Sequence, residues 1–176
     1  MHNVWTRLNS VVFFALTVLL AMAVMTAFST YLHEGSPSVK VLKVSKLKTL
    51  RNHAGVDRAL MTLDIEADFR AAFNWNVKQL FVYVVAEYES KKNPLNQIVV
   101  WDKIVESKDD AYIKLKRHSV KYALIDQGAE LRNKTINFVL AWDHMPYTGR
   151  LYQGRGDDVE SKHKYKFPGK YKLSEN

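Results

Sequence analysis

Six histidines, His2, His33, His53, His118, His144 and His163, are the side chains best suited to proton transfer or metal ligation near neutral pH. No two of them stand four apart around a glutamate, and none neighbours a carboxylate at ligand spacing. They read as scattered surface histidines, and no metal site is expected. The chain has no cysteine, which removes disulfides, thiolate metal sites, Fe–S clusters and cysteine nucleophiles together. Asp64, Glu66 and Asp68 alternate along one short run. A glycosidase needs two carboxylates facing each other across a cleft in unlike environments. Three on one strand face are a solvated face instead. There is no GxSxG, no phosphate-binding glycine loop and no nucleotide fingerprint. Gly154-Arg155-Gly156 lacks a strand–turn–helix setting and reads as a flexible loop. No catalytic residue and no cofactor are expected.

Binding chemistry is the alternative. Lys+Arg 26 against Asp+Glu 18 gives a net charge of +8. Fourteen of the 26 basic residues fall in three groups: Lys40, Lys43, Lys46, Lys48 and Arg51; Lys114, Lys116, Arg117 and Lys121; and Lys162, Lys164, Lys166, Lys170 and Lys172, the last interleaved with Tyr165, Phe167 and Tyr171. Such stripes can hold single-stranded nucleic acid. Lysines on strands also guard sheet edges against aggregation. In a membrane-tethered domain they are drawn to anionic lipid, so no nucleic-acid partner is expected. Asn133-Lys134-Thr135 is the one N-x-[S/T] sequon, which makes Asn133 the candidate glycosylation site.

The elements that position these residues begin with residues 11–28, VVFFALTVLLAMAVMTAF, a run bounded by Val11 and Phe28 with no charge. At about 1.5 Å per residue it nearly crosses a ~30 Å hydrocarbon core, and residues 29–32 complete the crossing. Trp5 and Tyr31 stand where interfacial aromatics lie. The run sits at the short end of the spanning range, which would suit a locally thinned bilayer. A cleaved signal peptide is the rival reading, with Ala21-Met22-Ala23 as its cleavage site, but the apolar run continues past that site. Arg7 and the α-amino group place slightly more positive charge before the span than after it, which keeps the N-terminus cytosolic. The expected division is a cytosolic tail at 1–10, an anchor at 11–32 and a lumenal domain at 33–176, the side on which Asn133 could be glycosylated.

Residues 29–38 are small and polar, with Gly35 and Pro37, and form a linker. Strand signals follow: a lysine-laced β-branched run over 39–50, and strict alternation over 63–69 with apolar side chains on one face and acids on the other. Residues 77–88 are apolar at both parities, so both faces are covered. Strands at 96–105, 112–116, 120–125 and 135–142 follow at the spacing of an all-β sandwich or barrel. A last strand at 164–173 is broken by Pro168-Gly169. The fold expected is an all-β sandwich of seven or eight strands behind one transmembrane α-helix. Trp75, Trp101 and Trp142 mark it as core landmarks, or as partner contacts where exposed.

Three blocks carry a resemblance. They are residues 73–81 (FNWNVKQLF), 86–88 (AEY) and 96–105 (NQIVVWDKIV), supported by Asn3, Val4, Arg7, Leu8, Asn9 and Ser10 before the anchor and by the sequon ahead of Trp142 and Pro146. Together they resemble the subunit 3 family of the eukaryotic signal peptidase complex, along nearly the whole chain. Departures fall at 50–58, 107–110 and 150–166. The resemblance implies a single-pass type II protein of the endoplasmic reticulum membrane with a lumenal sandwich. It implies a non-catalytic role: bracing the catalytic serine protease subunit, which together with the other small membrane subunits and membrane lipid would be its partners, during signal peptide removal. Positioning a protease at a fixed height over the bilayer makes substrate presentation effectively intramolecular.

Overall fold

The computed structural model describes residues 3–31, 35–156 and 162–173. His2, Leu32, His33 and Glu34 lie outside them. The first element is helix α1, Val4–Tyr31. It begins inside the stretch expected as a tail, because nothing in residues 4–10 breaks a helix and Asn3 Oδ1 accepts from the Trp5 N–H at 3.2 Å. Its 28 residues make about 42 Å, so the helix extends beyond both ends of the uncharged run at 11–28. Its apolar window is long enough to cross a membrane, and none of that window is buried among the described residues. Thr17 and Thr26 hide their hydroxyls by donating to Phe13 O and Met22 O, at 2.8 and 2.9 Å.

Among the described residues nine strands follow: β1 Ser38–His53, β2 Val56–Asp68, β3 Val77–Tyr88, β4 Asn96–Val105, β5 Tyr112–Ser119, β6 Leu124–Asp126, β7 Thr135–Pro146, β8 Tyr152–Arg155 and β9 Lys162–Lys166. They form two antiparallel sheets. One runs β1-β2-β5, with β6 also on β2; the other runs β4-β3-β7-β8, with β9 also on β7. β1 and β2 run straight through the 50–58 segment and meet at Ala54-Gly55, both at positive φ, the conformation that a tight two-residue hairpin demands. The core lies between the sheets. Met61, Leu63 and Ile65 from β2 face Leu80, Val82 and Val84 from β3 and Phe138 and Leu140 from β7. Apolar residues alternate on β2, whereas β3, at the centre of its sheet, is buried on both faces toward Tyr88.

The stretch at 154–156 departs from the expected loop. Residues through Arg155 are strand β8, paired with the second half of β7. Gly154 sits opposite Trp142, and a Cβ on it would stand 2.1 Å from the indole Nε1. A glycine there signals close packing of an aromatic on a strand, not flexibility. Of the run at 120–125 only Leu124 and Ile125 are strand, as part of β6, and β9 ends at Lys166, with Lys172 returning as a single bridge to Leu50.

Candidate anchor junction and interaction surfaces

The Asn-Trp-Asn block sits where the sandwich meets the anchor. After β2, the turn Arg70–Ala72 leads to Asn74, whose Oδ1 accepts from the Asn76 N–H at 2.9 Å. That closes an Asx-type turn and leaves the Asn76 side chain buried. Asn76 Nδ2 donates to Thr148 O at 2.8 Å, Thr148 N–H donates back to Asn76 Oδ1 at 3.1 Å, and Tyr147 N–H donates to Asn76 O at 2.8 Å. Nδ2 also reaches Thr30 Oγ1 of the helix at 3.4 Å. One buried carboxamide therefore ties the start of β3, the turn after β7 and the last turn of the anchor.

Two glycines let the backbones close on one another. A Cβ on Gly35 would fall 1.9 Å from Ala71 O, and one on Gly149 would fall 3.1 Å from Ala27 Cβ. The first lets the chain leaving the anchor cross the 70–72 turn; the second lets the turn at 147–151 lie on the helix. A cavity of about 340 Å³ remains at the junction, lined by Thr30, Asn74, Asn76, His144, Pro146 and Tyr152 among others. Burial pushes the His144 imidazole below its ordinary pKa. His163 is lowered the same way, so neither is the solvated histidine expected from sequence. His53 and His118 are exposed.

The outer faces of the two sheets differ. On the four-stranded sheet the three acids are paired. Asp64 accepts the Arg117 N–H at 2.6 Å and lies 3.5 Å from Lys43 Nζ. Glu66 accepts from Tyr112 Oη at 2.6 Å and meets Lys114 at 3.3 Å. Asp68 takes Arg70 Nε at 2.9 Å and the Arg70 N–H at 3.0 Å. These bonds lower all three carboxyls, Asp68 to about 2. The lysines at Lys43 and Lys114 thus serve cross-strand pairs, not an open cationic stripe. Among the described residues no three of His, Asp and Glu gather at metal-binding distance.

The five-stranded sheet is different. Phe81, Tyr83, Val85 and Ala141 make a small apolar cluster on its outer face. Phe81 stacks on Tyr83 with centroids 5.2 Å apart. Ile104, opposite Phe81, is 50% exposed. Gln153 Nε2 donates to Tyr83 Oη at 2.7 Å, and burial raises that phenol's pKa. Burial would also raise Glu87, but bonds from Arg155 Nη2 at 2.8 Å and Gln97 Nε2 at 2.7 Å outweigh it, and its pKa is lowered.

The tryptophans separate. Trp101 and Trp142 are core, 2% and 8% exposed, and Trp142 meets Phe69 edge-on at 5.5 Å. Trp75 is 65% exposed, so it is no core landmark: the Asx turn holds it outward while its two asparagine neighbours turn in. Asn133 is exposed at the sandwich end away from the anchor, in a turn with φ +57°. Its side chain lies over Gly169, where a Cβ would be 2.7 Å from Oδ1. Two buried aspartates that the sequence did not single out hold that turn. Leu131 N–H donates to Asp57 Oδ2 at 3.2 Å, and Glu130 N–H to Asp126 Oδ2 at 2.7 Å. Asp57 and Asp126 are register partners across β2 and β6. The one sequence signal for them is a carboxylate standing beside an otherwise apolar strand run.

The sequence signature of the signal peptidase subunit family matches residues 1–170. The chain belongs to that family. It is 35% identical to the fruit fly (Drosophila melanogaster) protein named signal peptidase complex subunit 3, over 99% of both chains. It is 36% identical to the human protein of that name, over 100% of this chain and 99% of the relative, and 38% identical to the Caenorhabditis elegans one, over 86% and 87%. As a member of the family the chain is a signal peptidase subunit of the accessory kind, with a single apolar helix suited to membrane anchorage.

Proposed function

We propose that this chain is the accessory subunit that holds the catalytic subunit of an endoplasmic reticulum signal peptidase complex at a set height and angle above the lumenal membrane face. The anchor enters from the cytosol, the sandwich stands in the lumen, and Asn133 carries the glycan. The serine protease chemistry belongs to the partner. The observation that carries this reading is the junction: a sandwich tied through Asn76 to Thr30 and seated through Gly149 on Ala27 is positioned by its anchor. The apolar outer face around Phe81 and Ile104 is the surface we assign to the catalytic subunit, since the opposite sheet's outer face is already satisfied by its own ion pairs.

Affinity purification of the full-length chain in mild detergent, with partners identified by mass spectrometry, tests this. Stoichiometric recovery of a signal peptidase catalytic subunit is expected, reduced by Ile104→Glu, a change at a half-exposed position that the fold tolerates. Recovery of the chain alone, under conditions that keep other membrane complexes whole, would overturn the reading in favour of a free membrane-tethered binding module.

A further inference from the structure

The two most exposed aromatic side chains of the sandwich, among the described residues, are neighbours. Tyr147 is 68% exposed and Trp75 is 65% exposed, and the Tyr147 N–H is bonded to the carbonyl of the residue after Trp75. Leu151, a few residues further along the same turn, is 51% exposed, and Arg150 between them is exposed too. Exposed large apolar side chains concentrated at one tip call for an occupant.

The position of that tip identifies the occupant. Gly149, at the centre of the turn, lies against Ala27 of the anchor. Ala27 belongs to the uncharged run that ends at Phe28, and at about 1.5 Å per residue it stands ~6 Å below the end of the helix at Tyr31. The turn therefore descends beside the helix to the level where the anchor's own apolar surface begins. Phe28 and Met25 are exposed at that level and must be surrounded by lipid if the helix spans. Trp and Tyr are the side chains that favour this interfacial zone, an apolar ring with a polar handle, and Arg extends its head to phosphate while its stem stays apolar.

We propose that Trp75, Tyr147 and Leu151 form a second membrane contact, seated in the headgroup layer of the leaflet from which the anchor emerges, with Arg150 meeting lipid phosphate. A single helix fixes the height of the sandwich but leaves its tilt to the junction's few hydrogen bonds. Adding a second point on the bilayer fixes the tilt. The contact concerns lipid and this chain alone, and it stands whether or not the catalytic subunit docks as proposed above.

The absence of cysteine makes the test direct. Tyr147→Cys, Leu151→Cys and, as control, Lys92→Cys in the hairpin at the opposite end are each introduced into the full chain, labelled with an environment-sensitive fluorophore and reconstituted into phosphatidylcholine nanodiscs. The labels at 147 and 151 are expected to emit to the blue of the label at 92, to lose most of their emission when doxyl-labelled lipid is included, and to resist aqueous iodide. Labels at 147 and 151 that iodide quenches as readily as the one at 92 overturn the proposal. So do labels shielded from iodide yet untouched by doxyl lipid, which would mark a protein contact instead. All three positions are exposed, and two independent sites on the turn guard against a local failure of either.

Discussion

Asn76 pairs with Thr148 as one backbone strand pairs with another: its Nδ2 donates to Thr148 O at 2.8 Å and its Oδ1 accepts the Thr148 N–H at 3.1 Å. A side chain thereby extends the β3–β7 ladder beyond the register pair Val77↔Pro146, at the point where the anchor arrives. The second asparagine of the Asn-Trp-Asn block joins the anchor to the sandwich, and the tryptophan between the two is left facing out.

Asn76→Ala removes these bonds and leaves the Thr148 backbone N–H and carbonyl without them in a half-buried setting. The expected cost is about 1–3 kcal/mol, concentrated locally. Hydrogen exchange of the full chain in micelles should show faster exchange at 147–151 with the Ala54-Gly55 hairpin unchanged. Unchanged protection at 147–151 would show that the carboxamide does not hold the turn.

Gly154→Ala places a methyl where the Trp142 indole lies, 2.1 Å from Nε1. Relief requires the indole to shift off Phe69 or β8 to leave β7. The expected loss is about 1–3 kcal/mol, seen as a lower melting temperature together with a changed near-ultraviolet tryptophan signal. A melting temperature equal to the parent's would contradict the packing described.

Asp68 has its carboxyl held at about 2, against an ordinary 3.8, by the Arg70 side chain and then its N–H. Because the folded value is the lower one, the stabilisation is present above pH 3.8 and is lost as pH falls from there through 2. Asp64 and Glu66 are lowered too and act in the same direction. Asp68→Asn should flatten the acid limb of a stability–pH curve and leave the slope above pH 5 alone. An acid limb of undiminished steepness would show that the Arg70 pair does not set it.

Asn133→Gln should abolish the single endoglycosidase-sensitive shift on a gel and leave assembly intact, since the site is exposed at the end remote from the anchor. A shift that persists would place the sugar at another residue, and a parent chain with no shift would contradict the glycan assigned to Asn133.

Much of the architecture could be read directly from residue type and spacing. The anchor needs only uncharged apolar length, and β2 needs only alternation, so both stand out in the sequence, as does the doubly covered β3. The asymmetry among the three tryptophans does not: whether an indole at a strand entrance turns inward depends on the Asn74–Asn76 turn, a tertiary matter. Gly154 was misread because local flexibility and a close approach by a distant aromatic both call for glycine, and only the pairing of β8 with β7 tells them apart. His144 and His163 lose their solvent through packing that no spacing encodes.

The apolar helix, the β-sandwich without disulfides, the one sequon and the blocks that carry the family resemblance are legible in residue type and order, because each depends on composition, on a short motif or on a period of two along the chain. No local pattern announces that the turn at 147–151 lies on Ala27, that Trp75 and Tyr147 share one exposed tip, or that Asp57 and Asp126 hold the Asn133 turn. Each of those joins residues far apart in sequence, whose meeting is set by strand order and register.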